Sequence, residues 1–273
     1  MFCKNKNFLR YVISSVILGV LTGYASAQPA PVDEIRPGVL RGYLVPSELP
    51  NALGILPPAP AGDSSTFVWE QAINRQLQEL RDTPRWALAI TDNDLSFPNA
   101  AGTFSCALDM PINEQDTPYL YQLLRRTLPD AGLATYSAKD HYQRTRPFVV
   151  NQQPICAAGS EATLATDGSY PSGHTAIGWA WALILSELAP ERSQAILNRG
   201  LAFGESRMVC NVHWPMDVIQ GQIVAAATVA QLHANETFTS DMREAAKEVA
   251  ELSGTGLSTN RNCAEEEAAL AWK

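Results

Sequence analysis

The chain has 273 residues, 46% hydrophobic and 18% charged, with 28 acidic against 20 basic side chains and a net charge of −8. That length suits one large domain and that composition a well-filled core, which excludes a disordered or fibrous chain. The acidic balance argues against a nucleic-acid polymer as partner, so any anion bound here must be met by a local group of cations.

Residues 1–27 carry Lys4, Lys6 and Arg10, then an apolar stretch, then Ala25-Ser26-Ala27. These are the successive parts of a secretory signal peptide, and the apolar stretch of about 14 residues is short of the roughly 20 that a membrane span needs. Cleavage near Ala27/Gln28 is expected, leaving 17 basic side chains against 28 acidic and a net charge of about −11. Cys106, Cys156, Cys210 and Cys263 remain, an even number in a chain bound for an oxidising compartment and compatible with two disulfides. Their spacing fits no CxxC zinc pattern.

Residues 28–63 are rich in proline, glycine and alanine and read as an extended arm with few regular elements. Residues 64–254 read as a helical domain. In "SSTFVWEQAINRQLQELRDTPRW", Ala72, Ile73, Leu77 and Leu80 recur at helical spacing behind serine and threonine caps; in "DTPYLYQLLRRTLPDAG", Thr117 precedes Pro118 at a first-turn position. Further helices are predicted over 138–145, 173–188, 192–204, 215–233 and 240–252, with Pro190 and Gly254 as stops, and no run makes a convincing strand. The apolar runs at 176–185 and 223–231 are too short to cross a bilayer and read as central helices of one all-α, single-domain bundle without a membrane anchor. The tail, 255–273, has room for one short helix, with Cys263 as a tie.

Three blocks gather polar residues that a helical core would not choose. In "KDHYQRTRP", Lys139 and Arg146 are about two turns apart and share a face if the helix continues that far. In "PSGHT", Ser172 is a good N-cap, and the amides of Gly173 and its successors would lie in a first turn with no intrahelical acceptor, a ready site for an oxyanion. His174 beside them can hand over a proton. In "SRMVCNVHWPMD", Pro215 opens a helix, so Asp217 comes within reach of the His213 Nδ1 proton and leaves Nε2 as a lone pair. His174, His213 and Asp217 also compose a three-ligand metal set, but Lys139, Arg146 and Arg207 in the same constellation repel a cation and fit an anion. His141 and His233 have no such company and read as ordinary histidines.

Together the blocks spell Lys139-x6-Arg146-Pro147, Pro171-Ser172-Gly173-His174 and Ser206-Arg207-x5-His213-x3-Asp217. This resembles the three-part signature of the acid phosphatase and vanadium haloperoxidase superfamily, which includes the type 2 phosphatidic acid phosphatases. "LPPAPAGDSSTF", "PDAGLATYSAKDHYQRTRPF", "GSYPSGHTAIGWAWAL" and "FGESRMVCNVHWPMDV" narrow the resemblance to the bacterial class A non-specific acid phosphatases, over roughly residues 50 to 250. The resemblance implies an all-helical domain, a periplasmic location, no metal or other cofactor, and broad hydrolysis of small phosphomonoesters. It assigns His213 as nucleophile, Asp217 as its orienting partner and His174 as the acid that serves the leaving group and then activates water. Lys139, Arg146, Arg207, Ser172 and Gly173 would hold the phosphate oxygens, and an acidic optimum follows if His174 acts protonated.

Cysteines at 156 and 210 are similar to those of the family, and bridges Cys156–Cys210 and Cys106–Cys263 are the pairing expected with it. The chain departs from the pattern at Cys106, where relatives often carry a glutamate after Phe-Ser, and at Pro215 and Met216, a change that suits a helix start. A vanadium haloperoxidase and a non-catalytic phosphate-binding protein are the alternative functions on the same residues, and a homo-oligomer is compatible with the sequence.

Overall fold

The computed structural model describes residue 1, residues 28–259 and residues 261–271, so the expected signal peptide lies outside the described residues. The arm begins with a small antiparallel hairpin, β1 (Glu34–Arg36) and β2 (Val39–Leu40), turned by Pro37 and Gly38, whose φ of 79° suits glycine. This is a difference from the strandless reading; a pair this short has no alternation to detect. Two turns of chain later come α1 (Ala52–Ile55) and α2 (Ser65–Leu77), the latter capped by Ser64 Oγ, which accepts the Phe67 N–H at 3.1 Å.

The stretch read as one helix from Ser64 to Trp86 is two. After α2 and a 3₁₀ turn (Gln78–Leu80), Asp82 takes a positive φ of 63° and α3 (Pro84–Asn93) starts afresh behind Thr83. Pro84 has no N–H to continue a helix and disfavours helical geometry at Thr83, so the break is a local proline effect. After a 3₁₀ segment (Asn99–Phe104) and α4 (Ser105–Leu108), α5 (Pro118–Leu133) begins at the predicted proline. Its orphan first-turn amides are met from across the fold: Glu248 accepts the N–H groups of Tyr119 and Leu120, both at 2.9 Å.

The helix predicted over 138–145 is α6 (Tyr136–Tyr142), ended by Gln143 in the left-handed region at φ 43°. Lys139 and Arg146 therefore do not share one helix face: Arg146 is the residue before α7 (Pro147–Asn151), set there by its proline. Next come α8 (Glu161–Ala165), α9 (Gly173–Leu188), α10 (Ser193–Val209), α11 (Pro215–Leu232), α12 (Glu236–Leu252) and α13 (Cys263–Leu270).

Helix α9 is the centre of the bundle, with α5, α10 and α11 around it. Trp181, fully buried, donates its indole N–H to the Leu124 carbonyl at 3.0 Å, satisfying its polar edge inside the core. Small residues let the neighbours come close: a Cβ at Gly178 would lie 2.2 Å from the Phe203 ring of α10, and one at Gly221 of α11 would lie 2.6 Å from the Ser172 carbonyl. Two disulfides, Cys156–Cys210 and Cys106–Cys263, carry the expected pairs, and the second fastens α13 to α4. The described residues contain no helix long and apolar enough to cross a membrane.

Candidate active site

A cavity of about 620 Å³ opens beside the N-terminal end of α9. Its buried end is lined by Lys139, Arg146, Gly173, His174, Arg207 and His213, which the sequence places in three separate blocks. Its walls are apolar, with Leu95, Phe97, Leu133 and Ile177 among them, and the arm hairpin from Ile35 to Val39 closes one side of the mouth with the exposed Arg36.

The fold holds the cations mostly by backbone carbonyls. Lys139 Nζ donates to the Gly168 carbonyl at 2.5 Å. Arg146 donates from Nε to the Asp167 carbonyl at 2.9 Å and from Nη1 to the Val212 carbonyl at 3.0 Å. A carboxylate meets both as well: Asp167 Oδ2 lies 2.6 Å from Arg146 Nη2 and 3.5 Å from Lys139 Nζ. Arg207 is different. It is 1% exposed, and its Nε and Nη1 have no hydrogen-bond partner among the described residues. A buried guanidinium with idle donors is costly unless an anion arrives to use them.

Burial, reinforced by the repulsion of Arg146, lowers the Lys139 ammonium to about 8 against the pull of Asp167. The same two causes bring Arg207 down to about 9, with Asp92 opposing. These shifts record positive charge crowded in a dry place, which an oxyanion would relieve.

The two histidines face this charge in different ways. His213 Nδ1 lies 3.4 Å from Asp217 Oδ2, and its Nε2 lies 3.1 Å from Arg146 Nη1. A carboxylate accepts and a guanidinium donates, so Nδ1 carries the proton and the Nε2 lone pair accepts from Arg146 Nη1, on a ring that lines the cavity. Asp217 is completely buried. Burial pushes its carboxyl up, but His213, Arg144 and the Trp214 N–H outweigh that and hold it below the usual carboxylate range. His174 Nε2 lies 3.2 Å from the Asn93 carbonyl. Burial first, then Arg207, keeps the His174 imidazole well below its ordinary value, and burial with Arg146 does the same to His213.

Ser172 is fully buried as the α9 cap: its Oγ accepts the Thr175 N–H at 3.2 Å and meets the Thr175 hydroxyl at 2.9 Å, and it does not line the cavity. Gly173, at the first position of α9, does line it, and its N–H has no acceptor within the helix. No group of three or more histidine, cysteine, aspartate or glutamate side chains among the described residues is arranged to hold a metal ion. Cys106 is taken up in its disulfide and does not line the cavity. His141 stacks edge-on against Tyr142, and His233 lies on the surface 3.1 Å from Glu187.

Four participants were not read from the sequence. Arg144 donates to Asp217 at 2.6 Å and forks onto Glu70, which also accepts the Met216 N–H at 2.9 Å, so α2 and the start of α11 are locked together behind His213. Glu70 sits fully buried on α2, one turn before Ile73 of the apolar pattern. Asp167 and Arg36 were also missed. Arg144 had one available signal, its place two residues before Arg146, whereas Glu70 and Arg36 lie on distant segments and carried none.

The sequence profile of the PAP2 superfamily matches residues 122–237. The non-specific acid phosphatase of Providencia stuartii is 44% identical over 211 residues, which cover 77% of this chain and 85% of that protein. The non-specific acid phosphatase of Salmonella typhimurium is 39% identical over 75% of this chain and 82% of its own length. The acid phosphatase of Zymomonas mobilis is 40% identical over 72% and 74% respectively. With three separate blocks folded onto one cavity and similarity running through most of its length, the chain belongs to the non-specific acid phosphatases of the PAP2 superfamily.

Proposed function

We propose that the protein is an exported, metal-independent acid phosphatase that hydrolyses small phosphomonoesters through a phosphohistidine at His213. The observation that carries the reading is the unpartnered Arg207 guanidinium, buried beside Lys139, Arg146 and the lone pair of His213 in one cavity. Phosphoryl transfer asks for positioning and for charge on the equatorial oxygens, and these three cations with the Gly173 N–H supply both, while Ser172 holds the start of α9 in place.

In the first step His213 Nε2 attacks phosphorus, the bond to the ester oxygen breaks, and His174 gives its proton to the departing alcohol. In the second, His174 takes a proton from water, the water oxygen attacks phosphorus, and the P–N bond breaks to release phosphate and restore His213. Asp217 stabilises the imidazolium character that His213 acquires. Before phosphate binds, burial and then Arg207 hold the His174 imidazole's affinity for a proton well below the ordinary histidine value. A bound phosphate offsets that positive field and raises its affinity for a proton, so the acid form is reached as substrate enters and is favoured at acidic pH. The two disulfides and the leader of residues 1–27 fit export to an oxidising compartment.

Replacing His213 by alanine tests the mechanism. Release of p-nitrophenol from p-nitrophenyl phosphate at acidic pH is expected to fall by about 10⁴-fold or more. Turnover that survives the change, or that is lost to EDTA in the unmutated protein, sinks the reading; bromination that depends on peroxide and vanadate, with negligible phosphatase activity, would replace it.

A further inference from the structure

Resting on the phosphatase reading, we propose that Asp167 is a built-in competitor for the phosphate site: its carboxylate takes the Lys139–Arg146 pair, which phosphate must share or win, and so keeps phosphate affinity low and product release fast. The placement carries the argument. Asp167 lies on the cavity wall, in the connection between α8 and α9, with Oδ2 at 2.6 Å from Arg146 and 3.5 Å from Lys139. It is the carboxylate among the cavity-lining residues, whereas Asp217 is sealed behind His213.

The side chain is not needed to place those cations. Lys139 is already held by the Gly168 carbonyl at 2.5 Å, and Arg146 by the backbone carbonyls of Asp167 at 2.9 Å and Val212 at 3.0 Å. Unlike Asp217, the Asp167 carboxylate is 32% exposed and accepts no backbone N–H among the described residues, so it is free to turn toward solvent. A phosphate that enters while it stays meets like charge on the same donors; a phosphate that displaces it must break both ion pairs. Either route weakens binding of substrate and of product alike, while Arg207, which has no carboxylate on it, stays free to grip.

Asp167→Asn removes the charge and keeps the shape, and Asp167→Ser removes both. Calorimetry with inorganic phosphate is expected to show binding tightened about tenfold in both variants, with the inhibition constant for phosphate and the KM for p-nitrophenyl phosphate falling in parallel. Phosphate binding that is unchanged, weaker or absent in both variants overturns the proposal and makes Asp167 a support for the two cations. Calorimetry does not depend on turnover: tighter phosphate binding by the variants of a chain that hydrolyses nothing would sink the phosphatase reading and leave the competitor standing.

Discussion

Arg199 and Arg207 lie about two turns apart on α10, both almost wholly buried, yet their surroundings are opposite. Arg199 is ion-paired: it forks onto Asp92, and its Nε, though without a hydrogen bond, lies 3.3 Å from Glu266, and these carboxylates raise its affinity for its proton above the ordinary arginine value despite burial. Asp92 is tied further to Ser206 at 2.6 Å, and Ser206 to Arg85 at 2.9 Å. Arg207 has no anion in contact, and burial with Arg146 brings it down to about 9. One helix thus carries a cation whose partners are supplied by the fold and a cation that has no anion in contact among the described residues, for which the proposed reading supplies the substrate phosphate. The difference separates structure from function without reference to residue type.

Replacing Arg207 by methionine tries that contrast hardest. Turnover of p-nitrophenyl phosphate is expected to fall by about 10³-fold, as for loss of one donor aimed at developing charge, while the unfolding free energy from urea denaturation rises by about 1 kcal/mol because a charge buried without a partner is gone. A fall in stability would break the comparison. Arg199→Met should do the reverse. It leaves Asp92 buried without its ion pair and held only by the Ser206 hydroxyl, at a cost of about 3–5 kcal/mol on the same urea curves, with kcat/KM of the folded fraction changed far less than by the Arg207 replacement.

Removing both partners, Arg199→Met with Asp92→Leu, is expected to recover about 2 kcal/mol of that loss, read from a double-mutant cycle. The smallest effect is on protonation. Arg207 is a cause of the depressed His174 value, so Arg207→Met should move the His174 titration upward in an NMR pH series, toward the ordinary histidine range, and Arg199→Met should leave it where it is. The sign follows from the charge: taking away a nearby cation favours the imidazolium, so protonated His174 persists to higher pH.

The elements that were legible in the sequence are those written in local signals. Pro118, Gly173 and Pro215 mark helix starts because a missing N–H or a missing side chain is tolerated or useful there, and the structure begins α5, α9 and α11 at those residues. The cavity residues were legible as three motifs. What failed was continuity. Periodicity carried one helix through Thr83–Pro84 and another through Gln143, where a residue in the left-handed region ends α6 three residues after Asp140. Long-range pairing was invisible: nothing near Glu70 announces Arg144, and a buried glutamate on an amphipathic helix reads as an exposed one until its partner is seen.

The hairpin at the mouth belongs to a segment anchored to the helices by Tyr43, which is buried in the main core. Its continuation is pinned where Asp130 accepts the N–H groups of Tyr43 and Leu44 at 2.9 and 3.1 Å, and where the Tyr43 hydroxyl reaches Asp241 at 2.7 Å. The cavity-lining residues Ile35 to Val39 precede Lys139, Arg146 and Arg207 by about a hundred residues of chain or more. On the proposed reading, one wall of the cavity and the groups that act on phosphorus are therefore encoded in separate places. Residues 34–40 could be exchanged between relatives as a cassette, changing which esters are accepted while the machinery that cleaves them is inherited intact.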